Sequence, residues 1–312
     1  MVSVSIPQPS PSVPIAFLKG HGTENDFVIV PDPDNAIALP APVVARLCDR
    51  RAGIGGDGLL HVVRSAAHPD ARAMADDAEW FMDYRNADGS IAEMCGNGVR
   101  VFVRHLQRAG LVEPGDLAVA TRGGVKKVHL AKSGAGGEDG DITVFMGPAI
   151  LPADSVTVTV GGRSWPTRHV NMGNPHAVTF VADLDHAGDL LSEPSYTPSA
   201  VYPDGVNVEF VVDRGERHVA LRVHERGSGE TRSCGTGACA VAVAAARRDG
   251  VDPTVTGSPV SYTVDLPGGR LVITERADGE VEMTGPAVIV ATGHIEPALL
   301  AHPGPGSETT PG

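Results

Sequence analysis

The chain is short of positive charge. Its 312 residues carry 25 Lys and Arg against 38 Asp and Glu, a formal net charge of -13. No basic run occurs, and basic residues do not interleave with aromatic ones. That balance repels phosphate backbones and anionic headgroups, so neither nucleic acid nor a membrane surface is expected as a partner. Also missing is any stretch of about 18 consecutive apolar residues, so nothing is predicted to span a bilayer. The opening segment MVSVSIPQPSPSVP (1–14) lacks a basic segment and an apolar block. It reads as a disordered tail and not as a secretion signal, and AHPGPGSETTPG (301–312) reads the same way. Cysteine is scarce: Cys48, Cys95, Cys234 and Cys239, with no CxxC pair and no Cys/His cluster. No metal site is predicted, and free thiols in a reducing, cytoplasmic setting are expected. No dinucleotide fingerprint or phosphate loop appears, and GIGGDG (53–58) lacks the strand-before, helix-after context of one. No cofactor is predicted, which leaves a small molecule as the expected partner.

What is present is a repeat. EMCGNGVR (93–100) and RSCGTGAC (232–239) each set a cysteine before Gly-polar-Gly, 139 positions apart. Each leads into an apolar helical run. Val99, Phe102, Val103 and Leu106 recur at helical spacing before Gly110, and GTGACAVAVAAARRDG is apolar nearly all round until Arg247. VFMGPAIL (144–151) echoes VEMTGPAVIV (281–290), and NDFVIV (25–30) echoes NPHAVTFV (174–181). The runs DITVFM, SVTVTV, NVEFVVD, HVALRVHE and RLVITE predict strands. Together these imply a mixed α/β (α+β) fold of two similar halves, each a set of short strands around one central helix. The chain is expected to cross between halves at the two GPA segments. Residues 65–79 and 133–141 are expected to be mobile loops, and Cys48 and Cys239 to be core.

A cysteine at a helix N-terminus meets unpaired N–H groups and the positive end of the helix dipole, which favour its thiolate. The expected effect is about one pKa unit, from about 8.5 toward neutrality. Two such thiols on opposite sides of one carbon can invert it, one removing a proton from one face and the other delivering one to the opposite face. The helix N–H groups would hold an adjacent carboxylate. Other readings of the same thiols are a proline racemase-like enzyme, a thiol-disulfide redox protein, and a cysteine hydrolase. The last needs a Cys–His pair and not two equivalent thiols.

Several stretches taken together resemble the diaminopimelate epimerase family: GTENDFVIV, GIGGDGLL, YRNADGSIAEMCGNGVR, MGNPHAVTF, GVNVEFV, HERGSGETRSCGTGAC and MTGPAVIV. The resemblance spans about 15 to 298. It implies a pyridoxal-independent conversion of LL-2,6-diaminoheptanedioate to the meso form, in lysine and peptidoglycan precursor synthesis. It implies two pseudo-symmetric halves, each a β-barrel-like sheet wrapped around a central helix, of residues 15–146 with 288–300 and of residues 147–287. Cys95 and Cys234 would exchange acid and base roles, with His176 and Glu225 tuning them. Asn25, Gly96, Asn97, Gly235 and Thr236 would hold the reacting end of the substrate. Asn86, Asn174, Asn207, Glu225 and Arg226 would grip it, largely at the distal end. A homodimer is also implied. Many members carry Gln where this chain has Gly58, a position that can contact substrate.

Overall fold

β-Branched runs become strands because alternate side chains can bury on one face of a pleated sheet. In the computed structural model, which describes residues 14–134 and 139–301, they do so twice over in the same order. The tails 1–13 and 302–312, and residues 135–138 of the second expected loop, lie outside the described residues. The first series is Ile15–Gly22, Asn25–Pro31, Gly58–Arg64, Trp80–Asn86, Gly115–Thr121, Gly124–Leu130 and Ile142–Pro148. Its successive pairings run antiparallel, parallel, antiparallel, parallel, antiparallel, antiparallel. The second series is Arg163–Asn171, Pro175–Phe180, Asn207–Gly215, His218–Glu225, Val260–Leu266, Gly269–Glu275 and Glu280–Gly285. Its pairings follow the identical pattern.

Parallel neighbours need a crossover connection. The first crossover of the first series contains α1, Ala41–Cys48. The second contains α2, Gly96–Arg108, and its counterpart in the second series is α3, Gly235–Arg248. Each sheet wraps its helix, so α3 is buried from Ala238 through Ala246 and α2 from Gly96 through Leu106. An Ala-rich helix suits such a place: it pays little side-chain entropy and lets strands approach from every side. Gly110 and Gly250, at φ 67° and 75°, reverse the chain just past the two helices. Cys48 and Cys239 are core residues, as expected. No helix among the described residues is long and apolar enough to cross a membrane.

The last strands of the two series pair with each other, Ile142–Pro148 against Glu280–Gly285, with the Thr143 and Thr284 hydroxyls 2.7 Å apart. After its GPA segment each chain run enters the other sheet. Val156–Val160 pairs with Arg163–Asn171, and Val288–Ile295 pairs with Ile15–Gly22. Arg100, fully buried on α2, donates to Pro286 O (3.3 Å) and Thr23 Oγ1 (3.3 Å). Burial pushes its guanidinium down to about 10. The turn at Thr23 and Glu24 (φ 49° and 62°) presses onto the second half. A Cβ on Gly268 would stand 2.0 Å from Thr23 O. We therefore expect Gly268→Ala to lower stability by about 1–3 kcal/mol through overpacking at this seam. Gly134→Ala, which meets nothing among the described residues within 4 Å, should stay within about 0.5 kcal/mol of the parent in a denaturant melt.

Residues 65–79 depart from the expected mobile loop. They form two 3-10 turns, Ser65–Ala67 and Arg72–Met74, and bury Ala71 and Ala78 against Phe81 and Ala120. Composition read this stretch as a loop, but small residues also pack flat against a sheet. Arg122 fastens it, bridging Asp70 (2.8 Å) and Asp83 (2.7 Å) across the Phe81 ring. Beneath, buried His61 lies between Asp32 (2.9 Å) and Asp83 (3.4 Å).

Candidate active site

Cys95 and Cys234 are the N-caps of α2 and α3. Each sulfur accepts a hydrogen bond from the third backbone N–H of its helix, Gly98 N and Gly237 N, at 3.4 Å. Both are held in extended backbone, so each thiol stands at the positive end of its helix. The first residues, Gly96 and Gly235, lie against the same side chain: a Cβ at either would approach Met283, at 2.6 and 3.1 Å. The two helix N-termini therefore abut.

Asn97 stitches them together. Its Nδ2 donates toward Asn25 Oδ1 (3.3 Å), Ser233 O (3.3 Å) and Ser233 Oγ (3.1 Å). Ser233 directly precedes Cys234, and its hydroxyl also meets Thr23 Oγ1 at 2.5 Å. Asn25 Oδ1 accepts from the Cys95 thiol at 3.6 Å, while its Nδ2 donates to Asp57 Oδ2 at 2.8 Å. In the other half the amide is turned the opposite way. Asn174 Nδ2 donates to Thr236 Oγ1 (3.3 Å), which lies 3.6 Å from Cys234 Sγ. Asn174 Oδ1 faces His176 Nε2 at 3.1 Å. His176 Nδ1 meets Glu209 Oε1 at 2.6 Å, both side chains wholly buried, and the other Glu209 oxygen has no partner among the described residues. The two asparagines thus face their helices with opposite ends of the amide: an acceptor beside Cys95, and a donor to the hydroxyl beside Cys234.

Glu225 reaches Cys234 and also accepts from Thr231 Oγ1. Asn207 Oδ1 accepts from Arg226 N (2.9 Å) and its Nδ2 donates to Pro175 O (3.3 Å). The Arg226 guanidinium turns to Asp204 O (3.1 Å), and Asn86 turns to Ser90 Oγ (3.0 Å). Cys95, Cys234, Asn25, Gly96, Asn97, Asn174, His176, Glu225, Gly235 and Thr236 therefore form one connected set. Asn207 and Arg226 flank it from the second half, and Asn86 makes no hydrogen bond to it. Two surface hollows of about 540 and 440 Å³ lie elsewhere and contain neither thiol. No group of His, Cys, Asp or Glu among the described residues is arranged to hold a metal ion.

One expectation is overturned. The thiols are not acidified here: burial pushes Cys95 up to about 11, against the smaller opposing effect of Gly98 N–H. Cys234 is raised well above its ordinary value by burial first, then by the Glu225 and Glu209 carboxyls. The helix end acts in the expected direction, but removing the thiolate from water outweighs it. Sequence reasoning also passed over Glu209, Asp57 and Ser233. The signal for Glu209 was an acid within NVEFVVD, where strand alternation places it on the face turned toward α3.

A profile of the family described as diaminopimelate epimerase matches residues 17–152 and 168–290. A Streptomyces coelicolor protein described as diaminopimelate epimerase is 75% identical over 289 residues, covering 93% of this chain and 98% of that protein. A Thermobifida fusca protein of the same description is 46% identical, covering 91% and 99%. A solved structure of a Bacillus anthracis protein of the PhzF phenazine biosynthesis family shares the fold at a TM-score of 0.66 and 17% identity, covering 90% of this chain and 99% of that one. A probable proline racemase from Agrobacterium radiobacter does so at 0.63 and 15%, covering 90% and 93%. With a profile matched across both halves and a relative at three-quarters identity over nearly its whole length, the chain belongs to the diaminopimelate epimerase family.

Proposed function

We propose that the chain is a two-base epimerase that interconverts LL- and meso-2,6-diaminoheptanedioate without pyridoxal phosphate, with Cys95 and Cys234 as the paired base and acid. The observation that carries this reading is the abutment of two thiol-capped helix N-termini, fastened by Asn97 to Ser233. An α-carbon between the sulfurs loses its proton to one and regains one from the other on the opposite face. The N–H groups of both helices face the adjoining carboxylate, where negative charge accumulates as the α-proton leaves. The raised thiol pKa values fit an enzyme that waits for substrate. An α-ammonium placed beside the sulfur brings the positive charge that stabilises a thiolate. His176 and Glu225 act on Cys234, directly or through Asn174 and Thr236. Asn25, Gly96, Asn97, Gly235 and Thr236 surround the reacting end. Asn86, Asn174, Asn207, Glu225 and Arg226 are assigned to the rest of the substrate. The working unit in this reading is a cytoplasmic homodimer, and the halves divide as 15–146 with 288–300 and 147–287, in keeping with the repeated strand order.

In deuterated water, product formed from LL-2,6-diaminoheptanedioate should carry one α-deuterium before the remaining substrate acquires any, with no pyridoxal phosphate added. Inversion without deuterium in the product, or no inversion, would defeat the reading. Light scattering checks the dimer.

A further inference from the structure

The two halves differ at a matched position in the strand whose Leu60 lies against Gly98 at the start of α2. Gly58 opens its strand in register with Phe27 and Asn86. Its counterpart Asn207 opens the matching strand in register with His176, and uses its side chain to bind Arg226 N and Pro175 O. Gly58 has no side chain, and a Cβ there would stand 2.6 Å from Arg85 O and 2.7 Å from Tyr84 Cε2, with the Tyr84 hydroxyl at 3.5 Å. The tyrosine ring occupies the place a side chain at 58 would take. Two positions along, Leu60 pairs with Tyr84 as Glu209 pairs with Val223, so the second half carries a core valine where the first carries this phenol.

The ring stands edge-on to Phe27 at 6.0 Å and packs against the core beside Cys95. Packing alone would be served by phenylalanine. The hydroxyl, however, has no hydrogen-bond partner among the described residues. Nor is its oxygen sealed in, as the orphan Tyr202 hydroxyl is. A half-buried hydroxyl without a partner loses part of its hydration and gains nothing from the protein in return. Burial pushes the phenol far above its ordinary ionisation. It therefore keeps its proton and remains a donor. A Cβ on Gly98, at the start of α2, would meet Leu60, which pairs with Tyr84, Cys95 Cβ, and Phe27, which meets the tyrosine ring, so the ring lies beside the first thiol-capped helix end. A carboxylate has lone pairs enough to take a further donor besides the helix N–H groups.

We propose that Tyr84 is a substrate-binding residue whose hydroxyl donates a hydrogen bond to a carboxylate oxygen of the amino acid held at Cys95. This assignment rests on the two-base reading above. Because negative charge grows on this carboxylate as the α-proton leaves, a hydrogen bond to it strengthens in the transition state, and its loss lowers kcat as well as raising KM. Tyr84→Phe keeps the ring over Gly58 and removes only the oxygen. For this variant we expect kcat/KM for LL-2,6-diaminoheptanedioate to fall about tenfold or more. The melting temperature without substrate should be unchanged, and the upward shift on adding substrate should be smaller than in the parent. A parent enzyme that inverts its substrate while Tyr84→Phe keeps kcat/KM within twofold overturns the assignment alone. So does a variant that melts lower at unchanged kcat/KM, because the oxygen would then serve the fold. A parent that exchanges no α-proton overturns both readings together.

Discussion

Cys95→Ser and Cys234→Ser should each lower the rate of epimerisation by about 10² to 10⁴, the range that a positioned acid or base contributes. The fold should survive both changes. A serine oxygen can still accept from Gly98 N or Gly237 N as an N-cap, and serine is a preferred residue there. What is lost is acidity, since an alcohol neither gives up nor holds a proton as a thiol does near neutral pH. The two variants should separate on an analogue with a leaving group at the β-carbon. Elimination needs one base and no acid on the opposite face, so each variant should retain it for the stereoisomer whose α-hydrogen faces the surviving thiol. Product analysis by proton NMR measures both reactions in one sample. Equal loss of elimination from both stereoisomers in both variants would show that the sulfurs do not hold separate roles.

The largest expected loss of stability comes from Asp83→Ala. Asp83 is buried and accepts from His61 (3.4 Å), Arg85 (2.7 Å) and Arg122 (2.7 Å). Burial alone would raise its pKa, but these hydrogen bonds and the Arg122 charge hold it well below the ordinary carboxylate range. Removing one partner of a buried charged group and leaving the others costs about 3–5 kcal/mol. At about 2–4 °C per kcal/mol for a chain of this order of size, the thermal midpoint should fall by roughly 10 °C. Proteolysis within 65–79 should quicken, because Arg122 fastens that stretch through both Asp70 and Asp83. The pH dependence follows from the direction of the shift. A carboxylate with a lowered folded pKa contributes its full stability above its unfolded pKa, about 3.9, and loses that contribution as pH falls through the folded value. The parent should lose stability below about pH 4 more steeply than the alanine variant. A midpoint within 2 °C of the parent at neutral pH would contradict this account of the cluster.

The repeat was legible because local chemistry writes it. A cysteine before Gly-polar-Gly can cap a helix without reference to the rest of the chain, and the GPA segments mark both departures from one sheet to the other. Strand runs such as VTVTV and HVALRVHE were legible for the same reason, as short-range alternation. Polar groups buried on inward strand faces were not. Glu209 finds His176 only through the parallel pairing of Asn207–Gly215 with Pro175–Phe180. His61 meets Asp32 and Asp83 through neighbours on either side of its strand. Tyr84 acquires meaning only when Gly58 lies under its ring. These depend on register between distant segments, which no window of sequence contains. The thiol pKa failed for a related reason: a helix end can be read locally, but the closure of the opposite half over it cannot.

Because Val288–Ile295 completes the sheet begun by Ile15–Gly22, a nascent polypeptide cannot finish its first-made portion until residue 295 has been translated. A product truncated near residue 285 would expose an open strand edge instead of yielding a smaller working protein. Any attempt to make the portions separately and recombine them must therefore supply that terminal strand together with the opening one.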